Sequence, residues 1–240
     1  MKQEYLDIYP TLYRNHWWWR ARERVIVSLL ERHLGTGGPA RLLDVGCGEG
    51  LLFPVLTKFG TVEGVDPCVG EEKARSLNIH PVPFDETAPL AGSYDAILML
   101  DFLEHLDDPC AALKAAHRFL APGAKLFVTV PAFDLLWTSH DDLNEHERRY
   151  TRSLLEKQVC ESGFKVEECS YLFHWVFFVK LLVRLKESLF PPKTPKLAGI
   201  PPANINAALR CVSIAEYGVL EKMKIRIPVG GSVLLVATRQ

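Results

Sequence analysis

The chain has 240 residues, 48% of them hydrophobic and 24% charged. That balance excludes a disordered, collagen-like or low-complexity polymer and leaves one substantial domain, with or without a lid. Lys and Arg number 28 against 29 Asp and Glu, so the basic excess of a non-specific nucleic-acid binder is missing and no nucleic-acid partner is expected. The six cysteines, at 47, 68, 110, 160, 169 and 211, contain no Cys-x-x-Cys pair. Neither a zinc site nor a disulfide framework is expected, and the thiols read as reduced in a cytoplasmic protein. The N-terminal MKQEYLDIYP lacks the apolar run of a secretory signal.

A helix is predicted over Tyr13–Leu34, opened by Trp17-Trp18-Trp19 and stopped by Gly35, Gly37, Gly38 and Pro39. RLLDV (41–45) reads as a first strand running into a glycine-rich turn, and Leu51–Phe59 as the helix after it. TVEGV (61–65) is a second strand closed by Asp66-Pro67, and Ile79–Val82 a short third. YDAILML (94–100) is apolar throughout, as a strand covered on both faces must be. Helix Cys110–Leu120, strand Ala124–Val130, helix Thr151–Glu161 and strand Phe164–Tyr171 follow, and SVLLVAT (232–238) is a seventh strand. Strands alternating with helices predict a parallel α/β sheet with right-handed crossovers. The stretch between Tyr171 and Ile227 is about fifty residues longer than a usual connection. It reads as an insertion that includes the proline-rich PPKTPKLAGIPP (191–202).

Leu43-Asp44-Val45-Gly46-Cys47-Gly48-Glu49-Gly50 places a strand, a glycine turn and a helix in sequence. Glycines there allow positive φ and close approach of a ligand, and the following helix offers unpaired N–H groups. A dinucleotide fingerprint needs glycine at 46, 48 and 51, but position 51 is Leu, and no Gly-Lys-Ser/Thr follows. A nicotinamide-dependent oxidoreductase is therefore disfavoured. The spacing is instead D-x-G-x-G-x-G.

LDVGCGEG (43–50), GVDP (64–67), PFDE (83–86), YDAILMLDFLEHLDDP (94–109), FLAPGAKLFVTVP (119–131), and RRYT with SGF (148–151, 162–164) occur in this order. Together they resemble the class I S-adenosylmethionine-dependent methyltransferases over residues 40–170 and the last strand. The resemblance implies a Rossmann-like, seven-stranded, mostly parallel sheet with helices on both faces. It also implies an N-terminal helix and a helical insertion before the last strand. The domains expected are an N-terminal cap (1–38), a cofactor-binding core (39–171 and 226–240) and a lid (172–225).

The resemblance also assigns roles. The Gly46-Cys47-Gly48 loop passes beneath the methionine part of the cofactor, with Asp44 supporting the loop and the ammonium end. Asp66, followed by Pro67, accepts both ribose hydroxyls, as an acidic ribose reader does. Asp85 binds the adenine amino group, and Leu100 touches the methionine portion through its backbone. Each aspartate has a plainer alternative as a turn or helix cap.

Asp101-Phe102-Leu103-Glu104-His105 lies just past the fourth strand, where such sheets keep their ligands. It resembles ubiquinone-type O-methyltransferases, in which acid-x-x-Glu-His is proposed to hold magnesium. Leu-Glu-His also occurs in relatives without metal, so Asp101 and His105 are read as pocket-lining and no metal is expected. Beyond the fifth strand, Ser139, His140, Asp141, Asn144, His146, Arg148, Arg149 and Tyr150 form a polar cluster. His140, His146 and Tyr150 are its catalytic candidates, the histidines as general bases. The alternative is a solvated loop capping the next helix.

On the N-terminal helix, Trp18, Arg22, Ile26, Leu29 and Leu30 share one stripe, which makes Arg22 the one inward charge. A buried arginine needs a carboxylate, and the cofactor's own is the candidate, with a protein acid as the alternative. The segment 171–185 is very apolar but too short for a bilayer span of about 20 residues. Two readings stay open: a lid over the acceptor pocket or on a partner subunit, and an interfacial helix contacting a membrane through 172–190 to serve a lipid-like acceptor. The expected function is methyl transfer from S-adenosylmethionine to a small or lipid-linked acceptor, with oxygen favoured. The protein would be cytoplasmic or peripheral at a membrane, and a non-catalytic cofactor-binding module is the alternative.

Overall fold

Leu42 and Leu43 are adjacent, point to opposite faces of one strand and are both fully buried. Both faces of the sheet must therefore be covered. The computed structural model describes residues 3–35, 38–192 and 199–240, with side chains from residue 8 onward. The strands are β1 (Ala40–Val45), β2 (Gly60–Val65), β3 (Ile79–His80), β4 (Tyr94–Leu100), β5 (Leu120–Pro131), β6 (Phe164–Leu172) and β7 (Ser232–Arg239). They form one seven-stranded sheet in the order β3-β2-β1-β4-β5-β7-β6. Only β7 runs against its neighbours β5 and β6; the other pairings are parallel. Strand order reverses between β1 and β4, so a crevice opens at their C-terminal ends.

One face carries Leu43, Val45, Ile97, Met99, Leu126 and Val128. Helices α5 (Pro109–Phe119) and α7 (Arg152–Glu161) cover it with Leu113, Ala116, Leu155 and Val159. The opposite face carries Leu42, Leu98, Phe127, Leu234 and Val236. It is covered by α2 (Trp17–Leu34) through Val25, Ile26, Leu29 and Leu30, together with the short α3 (Phe53–Leu56) and α4 (Glu71–Leu77). Leu29 and Leu30 have no exposed surface, and burial of each contributes roughly 1.5–3 kcal/mol. That anchors α2, and Arg22 with it.

The helix predicted over Tyr13–Leu34 is two helices. α1 (Gln3–Asn15) ends one residue before α2 begins. His16 between them is extended (φ −81, ψ 136), and its ring accepts the Trp18 N–H at 3.1 Å. Histidine is a rare N-cap, so the break carries no Ser/Thr/Asp/Asn signal. The predicted third strand shrinks to Ile79–His80 because Pro81 and Pro83 have no N–H to give a ladder. Gly37 and residues 193–198 of the proline-rich segment lie outside the described residues.

The insertion is two helices, α8 (His174–Leu189) and α9 (Ala203–Met223). α9 lies on the N-terminal cap: Asn206 accepts the Trp17 N–H at 2.8 Å, and Arg32 pairs with Glu221. Glu216 of α9 also accepts the N–H groups of His174 and Trp175 at 3.1 and 3.2 Å. A carboxylate thus stabilises the positive end of α8. From there α8 runs outward over the C-terminal ends of the strands, where Phe177 packs edge-on against Phe133 with centroids 5.6 Å apart.

Candidate active site

β1 delivers the chain into the crevice at Gly46, whose φ of 71° is a left-handed value. A Cβ there would stand 2.7 Å from the Phe102 ring, so glycine is required twice over. Gly48 also has positive φ (52°), but a Cβ on it would meet nothing within 4 Å. The loop therefore fronts open space at Gly48. Cys47 tucks back against β2, where a Cβ on Gly64 would lie 2.5 Å from its sulfur. Burial, then the nearby Asp44 and Asp66, push the Cys47 thiol well up, so it is not a nucleophile.

Asp66, at the end of β2, accepts the Gly48 N–H on Oδ2 and the Cys68 N–H on Oδ1, both at 2.8 Å. It thus performs the turn-capping role and still keeps a free lone pair on each oxygen. Pro67 beside it is exposed. Asp85, also exposed, accepts from the Thr87 N–H and hydroxyl at 2.7 and 2.6 Å, both on Oδ1. These bonds hold its carboxyl below the usual carboxylate range, and Oδ2 is uncommitted.

The other end of the crevice is a knot of charge. Asp44 is 4% exposed. Burial, opposed by Arg22 and assisted by Asp66, pushes its pKa up to about 7. Arg22 reaches from α2 to Asp101 at 2.5 Å and to the Thr129 hydroxyl at 2.5 Å. Thr129 in turn donates to Asp101 at 3.1 Å. Asp101 follows Leu100, the half-buried end of β4, and adopts φ 53°. Arg22 thus meets a protein acid, the alternative weighed from sequence. Thr129 and Tyr9 escape sequence reasoning. Thr129 is one polar residue in an apolar strand. Tyr9 sits on α1 near Arg22, Asp101 and Asp44, with burial holding its phenol above the ordinary value.

The carboxylate–histidine patch is not assembled as Asp101, Glu104 and His105. Among the described residues, Glu104, His105 and His146 are the set with donor atoms within 4.8 Å of one another. The His105 and His146 rings meet edge-on at 4.9 Å. Glu104 is fully buried with no hydrogen-bond partner on either oxygen. Burial, then Asp101, pushes its pKa well above that of a normal carboxyl. Two imidazoles and one acid do not match the oxygen-rich shell that magnesium demands, and Asp101 is already taken by Arg22.

Asp141 organises the polar cluster beyond β5 from the short α6 (Ser139–Leu143). It accepts from Arg149 Nε and Nη2 at 2.8 and 3.0 Å, bonds His146 Nδ1 at 2.9 Å and accepts the Thr138 N–H at 2.9 Å. Burial alone would raise its pKa; the bond to His146 and the Arg149 charge hold it well below the usual range. His140, on the same helix, is half-buried. Burial and then the Lys180 charge lower its pKa to about 4, leaving a neutral imidazole. His105 is lowered to about 4 as well, by burial and then His146. Tyr150 is a correction: its ring is fully buried and its hydroxyl donates to the Leu103 carbonyl at 3.3 Å. A phenol with no exposed surface cannot exchange a proton with an acceptor; it is a core residue.

The glycine turn at the sheet's switch point, closed by an acid on the second strand, is matched from outside. A family model described as a methyltransferase domain matches residues 18–169. The chain belongs to that family. Its cofactor is S-adenosylmethionine. A ubiquinone biosynthesis O-methyltransferase from Xanthomonas oryzae pv. oryzae is 32% identical over 148 residues, 53% of this chain and 60% of that protein. One from Pseudomonas aeruginosa is 26% identical over 136 residues, 48% and 57%. The matches thus span 57–60% of these relatives' own length. A possible histamine N-methyltransferase from Thermotoga maritima superposes with TM-score 0.59 at 19% identity, covering 99% of this chain and 97% of that one. Geranyl diphosphate C-methyltransferase from Streptomyces coelicolor A3(2) gives 0.57 at 16%, covering 91% and 79%. A [4+2]-cyclase, SpnF, gives 0.60 at 18%, covering 99% and 94%. The fold is common to all three, and their different reactions leave the choice of acceptor to the site.

Proposed function

We propose that this protein transfers the methyl group of S-adenosylmethionine to a hydroxyl oxygen of a lipid-linked acceptor met at a membrane surface. The observation that carries the reading is the outer face of α8. Phe178, Leu182, Leu185, Leu189 and Phe190 are 56–74% exposed there, and Leu135 next to them is 61% exposed. Such a patch on a protein surface is normally covered or used. Among the described residues no helix is long and apolar enough to cross a membrane, so on this reading α8 lies in the interface. The oxygen acceptor is supported by the relatives named for O-methylation in ubiquinone biosynthesis.

When bound, S-adenosylmethionine supplies an electrophilic methyl on a sulfonium, and the protein's task is alignment and exclusion of water. Asp66 offers its free lone pairs to the ribose hydroxyls, Asp85 its Oδ2 to the adenine amino group, and Asp44 its charge to the ammonium. Arg22 serves the carboxylate end, exchanging Asp101 for the cofactor. The backbone at Gly46–Gly48 and Leu100 forms the floor, and α1, α2 and α8 form the roof. His140, neutral across the working range, accepts the hydroxyl proton and relays it to water.

The test uses anionic vesicles of phosphatidylcholine and phosphatidylglycerol, radiolabelled S-adenosylmethionine, and two acceptors, catechol and a geranyl-substituted catechol. Base-stable ether product, formed faster on the prenylated compound and faster with vesicles, is expected. Label on carbon or nitrogen, or equal rates with and without the prenyl chain, would sink the reading.

A further inference from the structure

α8 has a second face that the apolar patch does not explain. Phe177, Lys180, Leu181 and Glu187 are its half-buried positions beyond the first turn, and their spacing puts them on one side of the helix. That side is held at both ends against the segment that follows β5. Phe177 meets Phe133, and Glu187 accepts the Ser139 N–H and hydroxyl at 2.9 and 2.8 Å. Lys180 lies between these two clamps. It makes no hydrogen bond or ion pair with any described residue, although an ammonium taken from water requires a counter-charge. The charged groups around it are Asp101, Asp141 and Arg149, and it acts in turn on His140. The nearby carboxylates are spent: Asp101 is bound to Arg22 and Thr129, and Asp141 to Arg149 and His146. Glu187 of its own helix is spent on Ser139, and Arg184 is an exposed like charge.

We infer that Lys180 is the acceptor's counter-ion, holding the reacting oxygen as an oxyanion at the mouth of the pocket. This rests on the oxygen-acceptor reading above. The acceptor's O–H proton passes to His140 and then to water, and the oxygen keeps the electron pair beside the Lys180 ammonium. That oxygen forms the new C–O bond as the methyl–sulfur pair stays on sulfur, leaving a neutral ether and a neutral thioether. Lys180 is then free again. Burial, with Arg149 next, lowers the lysine to about 8, the expected cost of an ammonium waiting for its anion. The insertion thereby has two faces with two tasks, the outer for the lipid and the inner for the reacting oxygen.

4-Nitrocatechol is a suitable probe because its visible spectrum reports ionisation. It is titrated into protein saturated with S-adenosylhomocysteine at a pH below the probe's own pKa in water. The wild type is expected to bind it and give the anion's spectrum. Lys180→Arg should preserve that spectrum. Lys180→Met should lose it and bind about ten- to a hundredfold more weakly, the range for one bond to a charged group. Unchanged S-adenosylhomocysteine affinity in both variants verifies the fold. Equal anion spectra and affinities in wild type and Lys180→Met would overturn this assignment alone. Wild-type protein that binds S-adenosylhomocysteine but not 4-nitrocatechol would overturn the oxygen-acceptor reading and this assignment together.

Discussion

Arg22 on α2 and Asp101 after β4 form a 2.5 Å ion pair across the mouth of the cofactor crevice. The pair ties α2 to the C-terminal end of β4, at the crevice where strand order reverses. Asp101 holds left-handed backbone (φ 53°), a conformation that an Asp tolerates better than most residues. On the proposed reading, Arg22 exchanges this protein carboxylate for the one on the cofactor.

Arg22→Lys should weaken S-adenosylmethionine binding by about tenfold or more, because lysine cannot reproduce the planar fork. Arg24→Lys, on the exposed side of the same helix, should change it little. Equal small effects in calorimetry would leave Arg22 as a purely structural partner of Asp101.

Asp66→Ala should cost roughly 2–4 kcal/mol of S-adenosylhomocysteine affinity, since two charge-assisted bonds go together. Part of that loss is indirect, because Asp66 also receives the Gly48 N–H. An unaltered dissociation constant would remove Asp66 from the cofactor site.

Asp44, placed at the cofactor's ammonium in the proposed reading, should make cofactor binding pH-dependent. Its pKa stands at about 7 in the free protein, chiefly through burial, and the positive charge of the cofactor must lower it. Binding then expels a proton below pH 7, so affinity should fall on acidification by up to about tenfold per pH unit. The folding contribution has the same origin and the opposite preference. A raised folded-state pKa gives stability present below the unfolded carboxyl's pKa and lost as pH rises through about 7. Asp44→Asn should flatten both dependences; an affinity for S-adenosylmethionine constant from pH 5 to 8 in the wild type would contradict the assignment.

Turnover should survive chelation. Glu104 is buried with no hydrogen-bond partner on either carboxyl oxygen, burial pushes its pKa well up, and sulfonium chemistry needs no Lewis acid. Complete loss of activity in EDTA, restored by a divalent ion, would make Glu104, His105 and His146 ligands instead.

Leu182→Glu with Leu185→Glu should abolish vesicle co-sedimentation while shifting stability by no more than about 0.5 kcal/mol, as exposed positions do. Excising the insertion would be a poor test. α9 buttresses α2 through Asn206 and Glu221, so its loss would disturb Arg22. Persistent binding to anionic vesicles in the double variant would assign α8 to some other partner.

The order of the strands' apolar runs, the D-x-G-x-G-x-G turn, Asp66 closing β2 and the inward stripe bearing Arg22 were all legible without coordinates. Each is a local pattern: a period, a glycine forced by backbone geometry, an acid at a strand end. The break at His16, the antiparallel set of β7 and the regrouping of Glu104 and His105 with His146 instead of Asp101 were not. Nor was the burial of Tyr150, or the division of α8 into a half-buried side with Phe177, Lys180 and Leu181 and an exposed side with Phe178, Leu182 and Leu185. Those depend on which distant segments meet, as when Arg22 claims Asp101 and Asp141 claims His146 and Arg149. A charge's neighbours in space are set by packing and desolvation, and no spacing along the chain encodes them.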